Sequence, residues 1–188
     1  MRNMGLCLTA GLAFAIACGS NPADSPPQPF ELTSSAFVDS GPIPFDNSLQ
    51  GENNSPPLAW TGAPDGCLQF ALTCVDLTAG GFVHWVVYEI PADMAYLLEG
   101  VPPGFAQPYG TFSQGLSGYG GIGYGGPNPP PGEIHFYLFT LYALDQEMAL
   151  GDSLTASELE QAIEGRVLGT ACLTGTYELI CNQPGEVE

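Results

Sequence analysis

Residues 125–145 read GGPNPPPGEIHFYLFTLYALD, and two unlike halves meet there. Residues 125–132 hold four prolines and three glycines, and an apolar run follows over 134–144. Within that run stands His135, one of only two histidines in 188 residues. The run is too short and too rich in β-branched and aromatic side chains to be a good helix, so it reads as a buried strand. Side chains alternate along a strand, which puts His135 and Tyr137 on one face. Proline fixes φ and glycine lets backbone approach closely, so the segment before the strand reads as a stiff wall. A wall that is already ordered loses little entropy when a ligand settles against it. The stretch therefore predicts a β-rich chain with a candidate site beside His135.

Composition agrees. Apolar residues make up 45% of the chain, while Gly (25) and Pro (18) are abundant. That combination fits a loop-rich β domain better than a bundle. Strands are expected at 30–37, 67–75, 82–90, 134–144 and 173–180. Residues 41–45 read as a turn into an extended piece, 51–57 as loop, and 92–98 as a short turn-rich segment. The loop expected over 100–131 is unusually long for a compact domain, and such loops are often functional. One helix is convincing. Thr155 and Glu158 form a capping box, Leu159, Ala162, Ile163 and Val167 give an apolar face, and Gly169 stops it. The expected fold class is mainly β, a compact antiparallel sandwich-like domain with one helix near the C-terminus and long Gly/Pro loops.

Charge is lopsided, with 20 acidic residues, two arginines and no lysine. Nucleic acid is thereby excluded as a partner, because counterion release needs a basic face. The N-terminus reads as an export leader: Arg2, an apolar run over 6–17, and small residues before Cys18. Ala15-Ile16-Ala17-Cys18-Gly19 is similar to the bacterial lipoprotein box, in which the cysteine becomes the lipidated N-terminus. The expected organisation is a leader over 1–17, lipidated Cys18 with a Pro/Ser-rich tether over 18–29, and a domain over 30–188. The expected location is a bacterial membrane, facing the periplasm or the exterior. Beyond the leader, Cys67, Cys74, Cys172 and Cys181 form an even set, which in an exported chain predicts two disulfides. Cys67 and Cys74 lie seven apart on one expected strand, roughly 23 Å when extended, so they do not pair with each other. Each is expected to reach Cys172 or Cys181, with the pairing open.

Five stretches together resemble the phosphatidylethanolamine-binding protein family, in its bacterial branch called Raf-kinase-inhibitor-like. They are GENNSPPLAW at 51–60, the strand over 70–76 with its loop, HWVVYEIP at 84–91, the opening stretch, and the segment from Glu158 to Tyr177. Their order along the chain is the family's. There are departures. After Asp76 the loop reads Leu77-Thr78-Ala79-Gly80 without the family's second aspartate and prolines, Phe136 replaces an arginine, and Arg166 a histidine. The resemblance implies a compact β domain with a small anion pocket at one end of a sheet. Carried over, the pocket residues are Asp76, His84, His135, Tyr137 and the turn Gly126-Pro127.

Chemistry leads to similar residues. A neutral imidazole donates from one nitrogen and accepts at the other, and an imidazolium donates from both. Two of them beside loop N–H groups suit a phosphate or carboxylate, such as a phospholipid head group. Asp76 would orient one ring. No cofactor and no catalytic activity are expected, and a protein partner to inhibit or modulate is left open. Two alternatives stand beside this reading. Asp76, His84 and His135 form a two-His one-carboxylate set of the kind that holds iron or zinc. Ser55, Ser113 and Ser117 are candidate hydrolase nucleophiles, but none sits in a G-x-S-x-G elbow.

Overall fold

The structure is a computed structural model that describes residues 28–104 and 112–180. The leader, Cys18, the tether as far as residue 27, and Cys181 lie outside the described residues. Strand β8 (Ile134–Leu144) is observed where the opening stretch predicts it. It lies between β4 (Gln69–Asp76) and β9 (Val167–Glu178), antiparallel to both. The full sheet has six strands in the order β2-β9-β8-β4-β5-β7. In it β2 is Gly41–Pro42, β5 is Phe82–Pro91 and β7 is Ser113–Gln114. A second sheet has three strands in the order β1-β3-β6. These are Glu31–Thr33, Leu58–Thr61 and Tyr96–Leu97.

One face of the large sheet carries Phe70, Leu72, Trp85, Phe139 and Leu141, all buried in one cluster with Trp60 and Leu97 of the small sheet. Trp60 meets Phe70 edge to face with ring centres 5.5 Å apart. The opposite face carries Val86 and Tyr88, covered by Leu159 and Ile163 from the helix α1 (Ala156–Ala162) and its C-terminal edge. The expected capping box is present. The Thr155 hydroxyl accepts from Glu158 N, and the Glu158 carboxylate accepts from Thr155 N.

Three expectations need correction. The helix ends at Ala162, not near Gly169. Val167 opens β9 instead, because pairing with Leu144 of β8 outweighs helical periodicity. The first strand is short, and the strand expected from Cys67 begins at Gln69, with Cys67 in the preceding turn.

The expected disulfides are also overturned: Cys67, Cys74 and Cys172 are free, so neither bridge forms. The sheet register gives the reason. Cys74 sits opposite Phe139 and Cys172 opposite Thr140, so β8 runs between them. Two strand spacings amount to roughly 9–10 Å. Phe139 and Thr140 point to opposite faces, so Cys74 is buried in the core while Cys172 faces solvent.

The long loop is pinned by Gln114, fully buried. Its amide donates to Pro102 O and Gly104 O at 2.9 Å and accepts from Trp85 Nε1 at 2.8 Å. A buried polar side chain with every partner supplied fixes a loop that has little regular structure of its own.

Candidate functional site

Strand β4 ends at Asp76, directly opposite Tyr137 on β8 and Phe82 on β5. Asp76 therefore shares a face with Tyr137 and, two residues earlier, His135. His84 arrives by a different device. Cys74 pairs with Trp85, but the next residue, Val75, pairs with Val83, so His84 is the extra residue of a β-bulge. A bulge turns a side chain out of simple alternation. It places His84 on the side of its neighbour Trp85, edge-on to Tyr137 at 5.0 Å and to Phe82 at 5.2 Å.

Each polar atom here has a defined task. Asp76 is 3% exposed. Its Oδ1 accepts from Thr78 N at 2.8 Å and Ala79 N at 2.9 Å, and its Oδ2 accepts from His135 Nδ1 at 2.6 Å. His84 Nδ1 donates to Gly125 O at 2.6 Å. Both rings thus commit Nδ1 to the protein and leave Nε2 for whatever lies in front. Glu133, exposed at the rim, brings a carboxylate oxygen to 3.5 Å from His135 Nε2. Burial holds the His84 imidazole below the usual histidine range, only partly offset by the Gly125 carbonyl and Asp76.

The rings open on a cavity of about 330 Å³ bounded also by Phe82, Tyr119, Asn128 and Pro130. Asp76, His84 and His135 converge there as expected. Gly126 and Pro127 do not line it. They are buried behind it, where the Gly126 N–H donates to Asn53 Oδ1 at 2.7 Å and Pro127 O accepts from Leu49 N at 3.0 Å. The loop N–H groups expected to grip an anion are therefore already used. Tyr137 forms the floor at 1% exposure. Its hydroxyl has no hydrogen-bond partner. Burial, and then the Asp76 charge, push it well above the usual tyrosine range. Tyr119 was not expected. It stacks edge-on to His84 at 5.7 Å and donates its hydroxyl to Gly126 O at 3.2 Å. Its only signal in the sequence is an aromatic residue set between Gly118 and Gly120.

Tyr137→Phe should read out this orphan hydroxyl. A buried unpaired polar group costs about 1–3 kcal/mol. The variant is expected to be as stable as the parent or up to about 1 kcal/mol more stable, and to bind anions more weakly by a similar amount. Chemical denaturation of the ligand-free protein, with calorimetric titration, checks both.

The alternatives fit less well. Asp76 is spent on His135 and two amides, and among the described residues no three His, Cys, Asp or Glu side chains are placed to hold a metal ion. Ser113 donates to Glu89, Ser117 to Gly121 O, and Ser55 accepts from Val101 N, so none engages a histidine. A larger groove of about 770 Å³ lies at the far end of β4, beside Gln69 and Pro91. Its ionisable groups are Glu89, Asp93 and Glu147, with no imidazole.

A family model for phosphatidylethanolamine-binding protein matches residues 33–178. A UPF0098 protein of Methanothermobacter thermautotrophicus is 43% identical over 148 residues, covering 78% of this chain and 97% of that one. A Mycobacterium tuberculosis protein provisionally named lipoprotein LppC is 36% identical over 196 positions, covering 90% and 94%. The crystal structure of Escherichia coli YbcL, titled a member of the mammalian PEBP family, superposes with a TM-score of 0.73 at 30% identity. That match covers 80% of this chain and 98% of YbcL. None of these relatives carries an enzyme name.

Proposed function

The chain belongs to the phosphatidylethanolamine-binding protein family, and we propose that it is an exported, lipid-anchored module that binds a small phosphate or carboxylate group at His84 and His135. One observation carries the pocket: two buried histidines, their Nδ1 atoms tied to Asp76 and Gly125, open on the same cavity. A net charge of −18 does not forbid an anion there. Salt screens distant charges beyond about 8–10 Å, while protonated imidazoles act at contact. Binding should strengthen on acidification through the usual histidine value of about 6.5, with His84 contributing lower still.

The test is calorimetric titration of inorganic phosphate, phosphoethanolamine and acetate into the parent and into His135→Asn, which keeps a donor for Asp76. The variant is expected to lose about tenfold in affinity. If no anion binds the parent, or the variant binds as well, the pocket is a structural corner.

The proposed organisation is leader 1–17, lipidated Cys18 with tether to 29, and domain 30–188. Two features support the anchor: the small residues before Cys18, and a match to LppC that covers more of the chain than residues 33–178. Cys18→Ser should move the protein from the membrane fraction to the soluble exported fraction. Unchanged membrane fractionation would remove the anchor from the proposal. The chain enters the domain far from the pocket. Phe30 stacks on Phe70 at 6.1 Å, six residues along β4 from Asp76, or roughly 20 Å. An anchored domain would then present the pocket away from its own bilayer, toward a dissolved ligand or a partner.

A further inference from the structure

We propose that the pocket selects oxyanions that carry their own acidic proton, namely phosphate and phosphomonoesters, over sulfate and phosphodiesters. This rests on the anion reading above and narrows it. The starting point is where the protons already are. His135 donates from Nδ1 to Asp76 and His84 donates from Nδ1 to Gly125 O. A neutral imidazole with its proton on Nδ1 presents a lone pair at Nε2. The cavity therefore meets a ligand with two acceptors. The nearby N–H donors are already committed: Thr78 and Ala79 to Asp76, Gly126 to Asn53. The Tyr119 hydroxyl is committed to Gly126 O.

An aprotic oxyanion would set its own lone pairs against those of the rings. Two carboxylates would also oppose it, buried Asp76 on β4 and Glu133 at 3.5 Å from His135 Nε2. A phosphate that retains a proton fits both demands. Its P–OH donates to an Nε2, and its lower charge reduces repulsion from Asp76 and Glu133. Its remaining oxygens can accept from the orphan Tyr137 hydroxyl in the floor. Phosphomonoesters carry that proton near neutrality because their second pKa is about 6. Sulfate and phosphodiesters have none to give. The phosphate of an intact membrane phospholipid is a diester, so the pocket is matched to soluble phosphomonoesters and free phosphate rather than to a bilayer surface. The position of Phe30 at the other end of β4 agrees.

The experiment is isothermal titration of the full-length protein in nonionic detergent. The probes are inorganic phosphate, sulfate, phosphoethanolamine, glycerophosphoethanolamine and ethanolamine, at about pH 8 and about pH 5. Near pH 8 the rings are neutral and inorganic phosphate still bears a proton. Phosphate is expected to bind at least roughly tenfold more tightly than sulfate there, because an acceptor site rejects a ligand that cannot donate. Near pH 5 the ligand proton is no longer decisive, since protonated rings donate from Nε2, and the phosphate–sulfate gap should narrow. Phosphoethanolamine should outbind its diester at the lower pH and lose that lead as its own proton is lost. Equal binding of sulfate and phosphate near pH 8 overturns the selectivity and leaves the anion pocket standing. Tightest binding by ethanolamine overturns it in favour of a cation. No binding by any probe overturns the anion reading itself.

Discussion

Replacing Asp76 by alanine is expected to lower the unfolding free energy by about 3–5 kcal/mol, a large share of what a domain of this size has. The carboxylate is 3% exposed and holds three donors: Thr78 N, Ala79 N and His135 Nδ1. The first two close the turn that leads β4 into β5. The third fixes the His135 ring. Alanine would strand all three at the end of the sheet. Asp76→Asn separates the roles. Its carbonyl can only face the two amides, because its NH₂ would repel them, so the NH₂ is left facing His135 Nδ1. That geometry turns His135 over, with its proton on Nε2. The asparagine variant is expected to cost about half as much as alanine. It should also bind sulfate near pH 8 better than the parent does, since one Nε2 now donates. Urea denaturation checks the first outcome, and calorimetric titration the second.

What was legible in the sequence was whatever a strand or a cap decides locally. β8 was legible to the residue, because its apolar run is bounded by Pro/Gly on one side and Asp145 on the other. Asp76, His135 and Tyr137 were legible as one face once strand periodicity was granted, and Thr155 announced α1 through its capping box. Non-local pairing was not legible. Val167 has helical spacing from Ile163, yet Leu144 of β8 claims it for β9. The cysteine arithmetic failed for the same reason, since nothing local says that β8 runs between Cys74 and Cys172. His84 reaches the site through a bulge that no glycine or proline marks. The turn Gly126-Pro127 was read as the pocket wall when it is the support behind it. Seen alone, a Gly-Pro pair cannot say which of its sides faces solvent.

That support gives the second large effect, Gly126→Ala. A Cβ at residue 126 would stand 2.5 Å from Asn47 O, 2.7 Å from Ser48 C and 2.9 Å from Leu49 N. These are backbone atoms, not the far ends of side chains, so they cannot swing aside. The segment they belong to is itself held from several directions. Tyr124 donates to Asn47 O at 2.8 Å, Tyr177 donates to Ser48 Oγ at 3.0 Å, and Leu49 N donates to Pro127 O. The 125–127 turn must therefore give way. As it moves, Gly126 N leaves Asn53 Oδ1, and Gly125 leaves the main-chain and ring bonds it makes with His84. Overpacking of this kind costs about 3 kcal/mol. Because Gly125 O holds the proton on His84 Nδ1, the variant should lose both the alignment of that ring and most of its anion affinity. Gly125 itself offers the contrast. A Cβ there would meet the Tyr119 ring at 2.4 Å, an exposed side chain that can rotate away. Gly125→Ala is thus expected to cost clearly less stability than Gly126→Ala in matched thermal melts. Equal melting temperatures for the two variants would mean that the close approach to residues 47–49 is not what requires glycine at 126.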